Sequence, residues 1–219
     1  VTSEDRAERL LVLGVAAGSI AHELRNALQV IATSAYVAKT DPGASAPHIA
    51  KIERNVRLAQ GIVDAVLGLA RGEALPTEPL PLEAIVRDAR EELRADPLPV
   101  FEDVGLDAEA LASGILLPRA FHVLYENAAQ AALPRAARIR TEARVADGRV
   151  LVDVADDGPG VAPALAGELF RPLSSAREGG TGLGLALAAR IAEAHGGRLS
   201  LVPGETGARF RLELRAARA

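Results

Sequence analysis

The chain has 219 residues, 49% of them hydrophobic, enough to bury one sizeable core or two small ones. Its formal net charge of −4, with no long Lys/Arg run, excludes the clustered basic face that nucleic-acid binding needs. The absence of cysteine excludes disulfide frameworks and thiolate metal sites, and nothing requires an oxidising compartment, so a cytoplasmic setting is expected.

The chain opens on Val1 and runs straight into a charged helical pattern, which reads as a fragment of something longer. The longest apolar stretch, Leu10 to Ile20, is too short to span a membrane and carries two glycines, so no span is expected within it. From Glu4 to Lys39 no proline interrupts the chain, and Leu13, Ala17, Ile20, Leu24, Ala27 and Ile31 recur in alternating steps of four and three. That is the heptad seam of a helix packing on other helices. Asp41-Pro42-Gly43 breaks it. A second helix, about Pro47 to Arg71, repeats the spacing at Ile49, Ile52, Val56, Ala59, Val63, Val66 and Ala70. Two such helices make a hairpin over residues 1–74. Apolar residues beside the seam, such as Leu28, Leu58 and Ile62, are more than one hairpin can bury, so dimerisation into a four-helix bundle is expected.

Three prolines, at 76, 79 and 81, mark residues 75–81 as a linker. Over 82–219 the pattern predicts helices at Leu82–Arg94, Arg119–Ala132 and Leu183–His195. Strands are predicted at Leu98–Val104, Leu199–Val202 and Ala208–Leu214, with a hairpin from Ala137 to Ala155 turning at Asp147-Gly148. Helices alternating with mostly antiparallel strands predict an α+β two-layer sandwich, one sheet covered by helices on one face.

His22 lies two residues from both Ile20 and Leu24, a rotation of about 200° that turns it away from the seam. Exposed, with Glu23 adjacent and Asn26 one turn on, it can act as a nucleophile through a neutral ring nitrogen. A lone histidine on such a helix can equally be a solvated residue. A zinc-protease helix is excluded, because the fifth position of His-Glu-x-x-His is Asn26. In the second domain, a strand runs into Asp156-Asp157-Gly158-Pro159-Gly160, and Gly179-Gly180-Thr181-Gly182-Leu183-Gly184 opens a helix. Glycines before a helix N-terminus let backbone N–H groups approach phosphate oxygens, and the helix dipole favours the anion. Neither a dinucleotide fingerprint nor a Walker loop fits, since no strand leads directly into the loop and no lysine follows its last glycine.

The order His22-Glu23-Leu24-Arg25-Asn26, Glu126-Asn127-Ala128, Asp156 to Gly160 and Gly180 to Leu185 resembles the H, N and two glycine boxes of sensor histidine kinases, nearest the nitrogen-regulatory kind. Leu169-Phe170-Arg171-Pro172-Leu173 resembles the family's F box. The resemblance implies ATP and Mg²⁺ as cofactors, a homodimer, and a response-regulator receiver domain as partner. It implies His22 as phosphoacceptor, Glu23 as its acid/base neighbour, and Asn26 as a residue that can orient water for phosphatase action. Asn127 would bind Mg²⁺. Asp156 would accept a hydrogen bond from the adenine amino group, Gly158 and Gly160 would shape the adenine pocket, and Gly180, Thr181, Gly182, Leu183 and Gly184 would line the phosphates.

Several positions depart from the family pattern: Val123 stands where a second asparagine is common, Ala27 where a proline follows Asn26, and Arg177 and Ser174 where the lid has lysine and an aromatic. Two rival readings therefore stay open: a non-catalytic nucleotide-binding or phosphotransfer scaffold, and an ATPase of the gyrase and chaperone type. For the last, Val123 would have to replace a catalytic glutamate, which it cannot do.

Overall fold

The computed structural model describes residues 24–25, 27–41, 45–71, 75–91, 93–171, 182, 184–203 and 206–217. The chain divides into two compact units, Val1–Arg71 and Gly72–Ala219.

In the first unit, residues 27–40 form α1 and Ser45–Arg71 form α2. Ser45 Oγ donates to the carbonyl of Ala38 at 2.9 Å, so the start of α2 satisfies an orphan acceptor at the end of α1. Ala27 and Ser34, one heptad apart, are buried. The expected seam of α2 divides: Ile52 and Ala59 are half-buried, whereas Ile49, Val56 and Val63, at seven-residue spacing, are exposed together with Leu28 and Tyr36 on α1.

The second unit contains β1 (Glu78–Pro81), α3 (Leu82–Glu91), β2 (Val100–Val104), β3 (Glu109–Ala112), α4 (Leu117–Ala132), β4 (Arg138–Ala146), β5 (Arg149–Asp156), the short α5 (Pro163–Ala166), α6 (Gly184–Ala194), β6 (Arg198–Val202) and β7 (Arg209–Arg215). Five strands form one sheet in the order β2-β4-β5-β7-β6; β2 runs parallel to β4 and every other pairing is antiparallel. The period-2 alternation of the strands sorts the two faces. Val150, Val152 and Val154 of β5 and Phe210, Leu212 and Leu214 of β7 point into the core. Helices α4 and α6 pack together and α3 packs on α4, burying Phe121, Leu124, Tyr125 and Ile191. The opposite face is a lattice of charges. Arg140 pairs with Glu102 at 2.6 Å, and Asp153, only 5% exposed, is gripped by Arg209 and Arg211. The predicted α+β sandwich is the observed one.

A polar clip fastens α3 to the sheet edge. The Arg90 guanidinium lies 4.1 Å from the Phe101 ring centroid and forks onto Asp103, while Tyr125 Oη and Thr141 Oγ1 bond at 3.0 Å in the core.

Two expectations change. The proline-rich stretch read as a linker is part of the second unit: Leu75 is buried and donates its N–H to Ala194, and residues 78–81 form β1, which pairs with the unanticipated β3. A strand with a partner on one side only tolerates prolines at edge positions. β2 begins only after Pro99, and its parallel pairing is not readable from alternation. His195, at the end of α6 where a cation or donor is favoured, is 3% exposed. Its Nε2 accepts from the Ser113 N–H at 2.9 Å and its Nδ1–H donates to Ile191 O at 2.6 Å, which specifies the neutral ring. Beyond it, Gly196 at φ 68° ends α6, with the Gly197 N–H returning to Ala192 O.

Two groups set the acid side of stability. Burial lowers the pKa of His195, so the unfolded chain takes up its proton first; this contribution is whole above about pH 6.5 and is lost as pH falls below it. Burial opposes ionisation of Asp153, but Arg211 and Arg209 together outweigh it and hold the carboxyl below its usual range. Its contribution is present above about pH 4 and lost as pH falls through the depressed value. Thermal unfolding across pH 3–8 is expected to show that His195→Gln flattens the upper limb. Asp153→Asn is expected to cost about 3 kcal/mol at pH 7 and to flatten the lower limb.

Candidate functional site

The end of β5 carries the first candidate group. Asp156 is buried, and its Oδ1 accepts the N–H of Gly158 at 2.8 Å and of Ala208 at 3.1 Å. The Asp156 N–H donates to Ala208 O at 2.9 Å, so the strand end is bonded to the start of β7 through both backbone and side chain. That closeness demands glycine opposite. Gly207 has φ 64°, and a Cβ there would stand 1.9 Å from the Asp156 carbonyl oxygen and 2.6 Å from Oδ1. A Cβ on Gly158 would meet Asp156 Oδ1 at 2.8 Å and the Ala131 methyl at 3.2 Å, and Gly160 backs onto Gly207.

Helix α4 supplies the second group. Positions 123, 127 and 131 recur every four residues and share one face. At its ends this stripe touches two different elements: Val123 Cγ1 lies 3.1 Å from where a Cβ of Gly184 would be, at the first residue of α6, and Ala131 abuts Gly158. Asn127, half-buried, lies between these contacts and therefore between the glycine turn and the N-terminus of α6. Gly182, just before that helix, has φ 67°. Glu126 is exposed on another face of α4, as its position in the helix predicts. Below the site, Phe170 of the F-box-like segment packs edge-on against Phe210 of β7 at 6.4 Å.

Thus Asn127, Asp156, Gly158, Gly160, Gly182 and Gly184 converge on one region of the second unit. His22, Glu23, Asn26, Gly180, Thr181 and Leu183 lie outside the described residues. Gly184, expected to line the phosphates, is also where α6 comes against Val123. Sequence reasoning missed Gly207 and Ala131, which sit in no motif. It also missed Arg135, whose Nη1 lies 2.8 Å from Asp157 Oδ2. His122 spans helices, its Nδ1–H donating to Ala89 O at 3.1 Å, as a packing residue would. Among the described residues no three His, Asp or Glu side chains gather as a metal cluster.

A buried carboxylate that holds a glycine turn, an amide on the facing helix, and a glycine-led helix N-terminus suit an adenine base at one end and phosphates at the other. The fold and this arrangement define an ATP-binding domain. Residues 113–218 match the model of the histidine kinase-, DNA gyrase B-, and HSP90-like ATPases. The chain is 29% identical to the C4-dicarboxylate transport sensor protein DctB of Rhizobium meliloti (strain 1021), over 97% of this chain and 36% of that protein. It is 31% identical to the sensor histidine kinase ZraS of Klebsiella oxytoca, over 89% of this chain and 44% of that one. The solved structure of full-length ShkA in complex with AMPPNP superposes with a TM-score of 0.58 at 25% identity, over 100% of this chain and 47% of that chain. The second unit carries the ATP-binding domain of the histidine kinase-, DNA gyrase B-, and HSP90-like ATPases, and the chain is similar to sensor histidine kinases along most of its length. It spans less than half the length of these two curated relatives. No described helix is long and apolar enough to cross a membrane.

Gly207→Ala forces a methyl into the Asp156 carbonyl at a positive φ. It is expected to destabilise the domain by at least about 2 kcal/mol and to abolish binding of a fluorescent ATP analogue. Gly148→Ala, also at positive φ but facing open space, is expected to cost about 1 kcal/mol and to leave binding intact. Denaturant titration alongside analogue binding checks both.

Proposed function

We propose that this chain is the autophosphorylating core of a two-component signalling kinase, acting on the cytoplasmic side. Residues 82–219 bind ATP and residues 1–74 carry the acceptor histidine on a dimerising hairpin. The observation that carries this reading is the α4 stripe, which sets Asn127 between the Asp156 turn and the start of α6. The Asp156 carboxylate accepts from the adenine amino group, and the Asn127 amide oxygen is a hard ligand suited to Mg²⁺. With no carboxylate cluster among the described residues, the ATP phosphates would complete the ion's coordination. Gly180, Thr181, Gly182 and Leu183 line the phosphates.

A neutral ring nitrogen of His22 attacks the γ-phosphorus, a P–N bond forms, the bond to the β,γ-bridging oxygen breaks, and ADP leaves. Glu23 orients the imidazole and takes its proton. The phosphoryl group then passes to an aspartate of a receiver domain, and Asn26 positions water for the reverse, hydrolytic duty. The exposed Ile49, Val56 and Val63 stripe on α2 supports a homodimeric four-helix bundle, since a seven-residue apolar repeat calls for a partner helix.

A second reading rests on Val123. An aliphatic side chain against Gly184 cannot ligate metal or water, which favours a nucleotide-binding scaffold without transfer. Incubation with γ-labelled ATP and Mg²⁺ separates the two. The kinase is expected to give acid-labile, base-stable label, lost in His22→Ala and reduced at least about 100-fold in Asn127→Ala. ATP binding without label would establish the scaffold.

A further inference from the structure

The glycine turn is held from a third side that belongs to neither glycine box. Where α4 ends, the chain passes through Leu133 and Pro134 to Arg135, and there it meets the turn. Arg135 Nη1 lies 2.8 Å from Asp157 Oδ2, and its Nη2 donates to the Asp157 carbonyl oxygen. The other carboxylate oxygen of Asp157 accepts the backbone N–H of Arg138, the first residue of β4, at 2.9 Å. Asp157 therefore ties three elements: its own turn, the loop leaving α4, and the start of the central hairpin.

Resting on the nucleotide-binding reading above, we propose that Arg135 is a positioning residue for the nucleotide site, clamping the Asp156–Gly160 turn to the end of α4 and neutralising Asp157. The geometry separates the two adjacent aspartates by task. Asp156 is turned inward onto the Gly158 and Ala208 amides, where it closes the turn and ties it to the start of β7. Asp157 is turned outward and is anchored by a charged fork and one amide. Burial opposes its ionisation, but the Arg138 N–H and then Arg135 outweigh that and keep the carboxyl below its usual range. Without Arg135, an unneutralised carboxylate would stand next to Asp156 and near a polyanionic ligand, and the turn would lose its ion-pair tie to the loop leaving α4. Because the stripe of α4 carrying Asn127 ends at Ala131, four residues before Arg135, the clamp also sets the distance between Asn127 and Asp156. Since the pair is partly open to solvent, its effect is moderate and falls with salt.

The test compares the whole chain with Arg135→Ala, Arg135→Lys, Asp157→Asn and the double variant. It measures equilibrium binding of Mg-ATP, phosphorylation kinetics, and exchange of the Gly158 and Arg138 amides without nucleotide. Arg135→Ala is expected to raise the ATP dissociation constant and KM about five- to tenfold, more at low salt than at high salt, with kcat little changed. Arg135→Lys should recover part of the affinity, since it keeps the charge but loses the fork. The double variant should resemble Arg135→Ala alone, and Gly158 should exchange faster in each loosened form. Unchanged affinity and unchanged Gly158 exchange in Arg135→Ala, whatever its melting temperature, would overturn the clamp. If the unaltered chain binds no ATP, the nucleotide reading fails, and with it the proposed role in binding. Gly158 exchange then reports whether the tie to the turn exists apart from that role.

Discussion

The nucleotide end of the domain depends on one buried carboxylate. Asp156 closes the turn after β5 by accepting from Gly158, and joins that turn to β7 by accepting from Ala208. Two charge-assisted bonds to a buried oxygen hold the backbone more firmly than neutral bonds would. They also set the approach of Gly207 so close that no side chain fits there. The turn is thus packed backbone against backbone, and the contacts around Asp156 leave no room for side chains at Gly158, Gly160 and Gly207.

The rest of the sandwich serves to present that turn to a helix. The core is aliphatic and aromatic on one face of the sheet and ionic on the other, so the three larger helices have only one side on which to lie. Once α4 and α6 share that side, small residues decide how near they come. Val123 against Gly184 brings the start of α6 up to the middle of α4. The neutral His195 does the same at the far end, where it bonds Ser113 ahead of α4. The site is bounded by a polar staple at one end and a van der Waals contact at the other. An asparagine at 123 would put an amide where the valine now packs.

The hairpin unit follows a different logic. Its helices satisfy their own backbone, but the Ile49, Val56 and Val63 stripe of α2 lies in solvent. Each apolar side chain of that size is worth about 1.5–3 kcal/mol when fully buried, so the stripe is a strong bias toward association. The second unit, by contrast, buries most of its large apolar residues in a core of its own. The two units differ in whether their cores are complete within one chain.

Much of this was legible in the residues. The alternation of β4 and β5, with Asp147-Gly148 between them, specifies a hairpin whose turn takes positive φ at both positions. The apolar spacing of α3, α4 and α6 specifies helices with one buried face. Asp156, Gly158 and Gly160 stood out as a strand running into a glycine turn, and Asn127 joined them through the resemblance to the family's N box. What the sequence by itself could not determine were relations between segments far apart in the chain. β1, with its two prolines, and the four-residue β3 mean nothing until they find each other, and the parallel entry of β2 has no local signature. Gly207 and Arg135 belong to no motif; their roles come from Asp156 and Asp157, which lie 51 and 22 residues away. Local propensity and periodicity act over a few residues, so the sequence alone determined the elements and their inward faces. Close approach and ion pairing act through space, so only the tertiary structure decided which glycine had to be bare and which arginine would hold the turn.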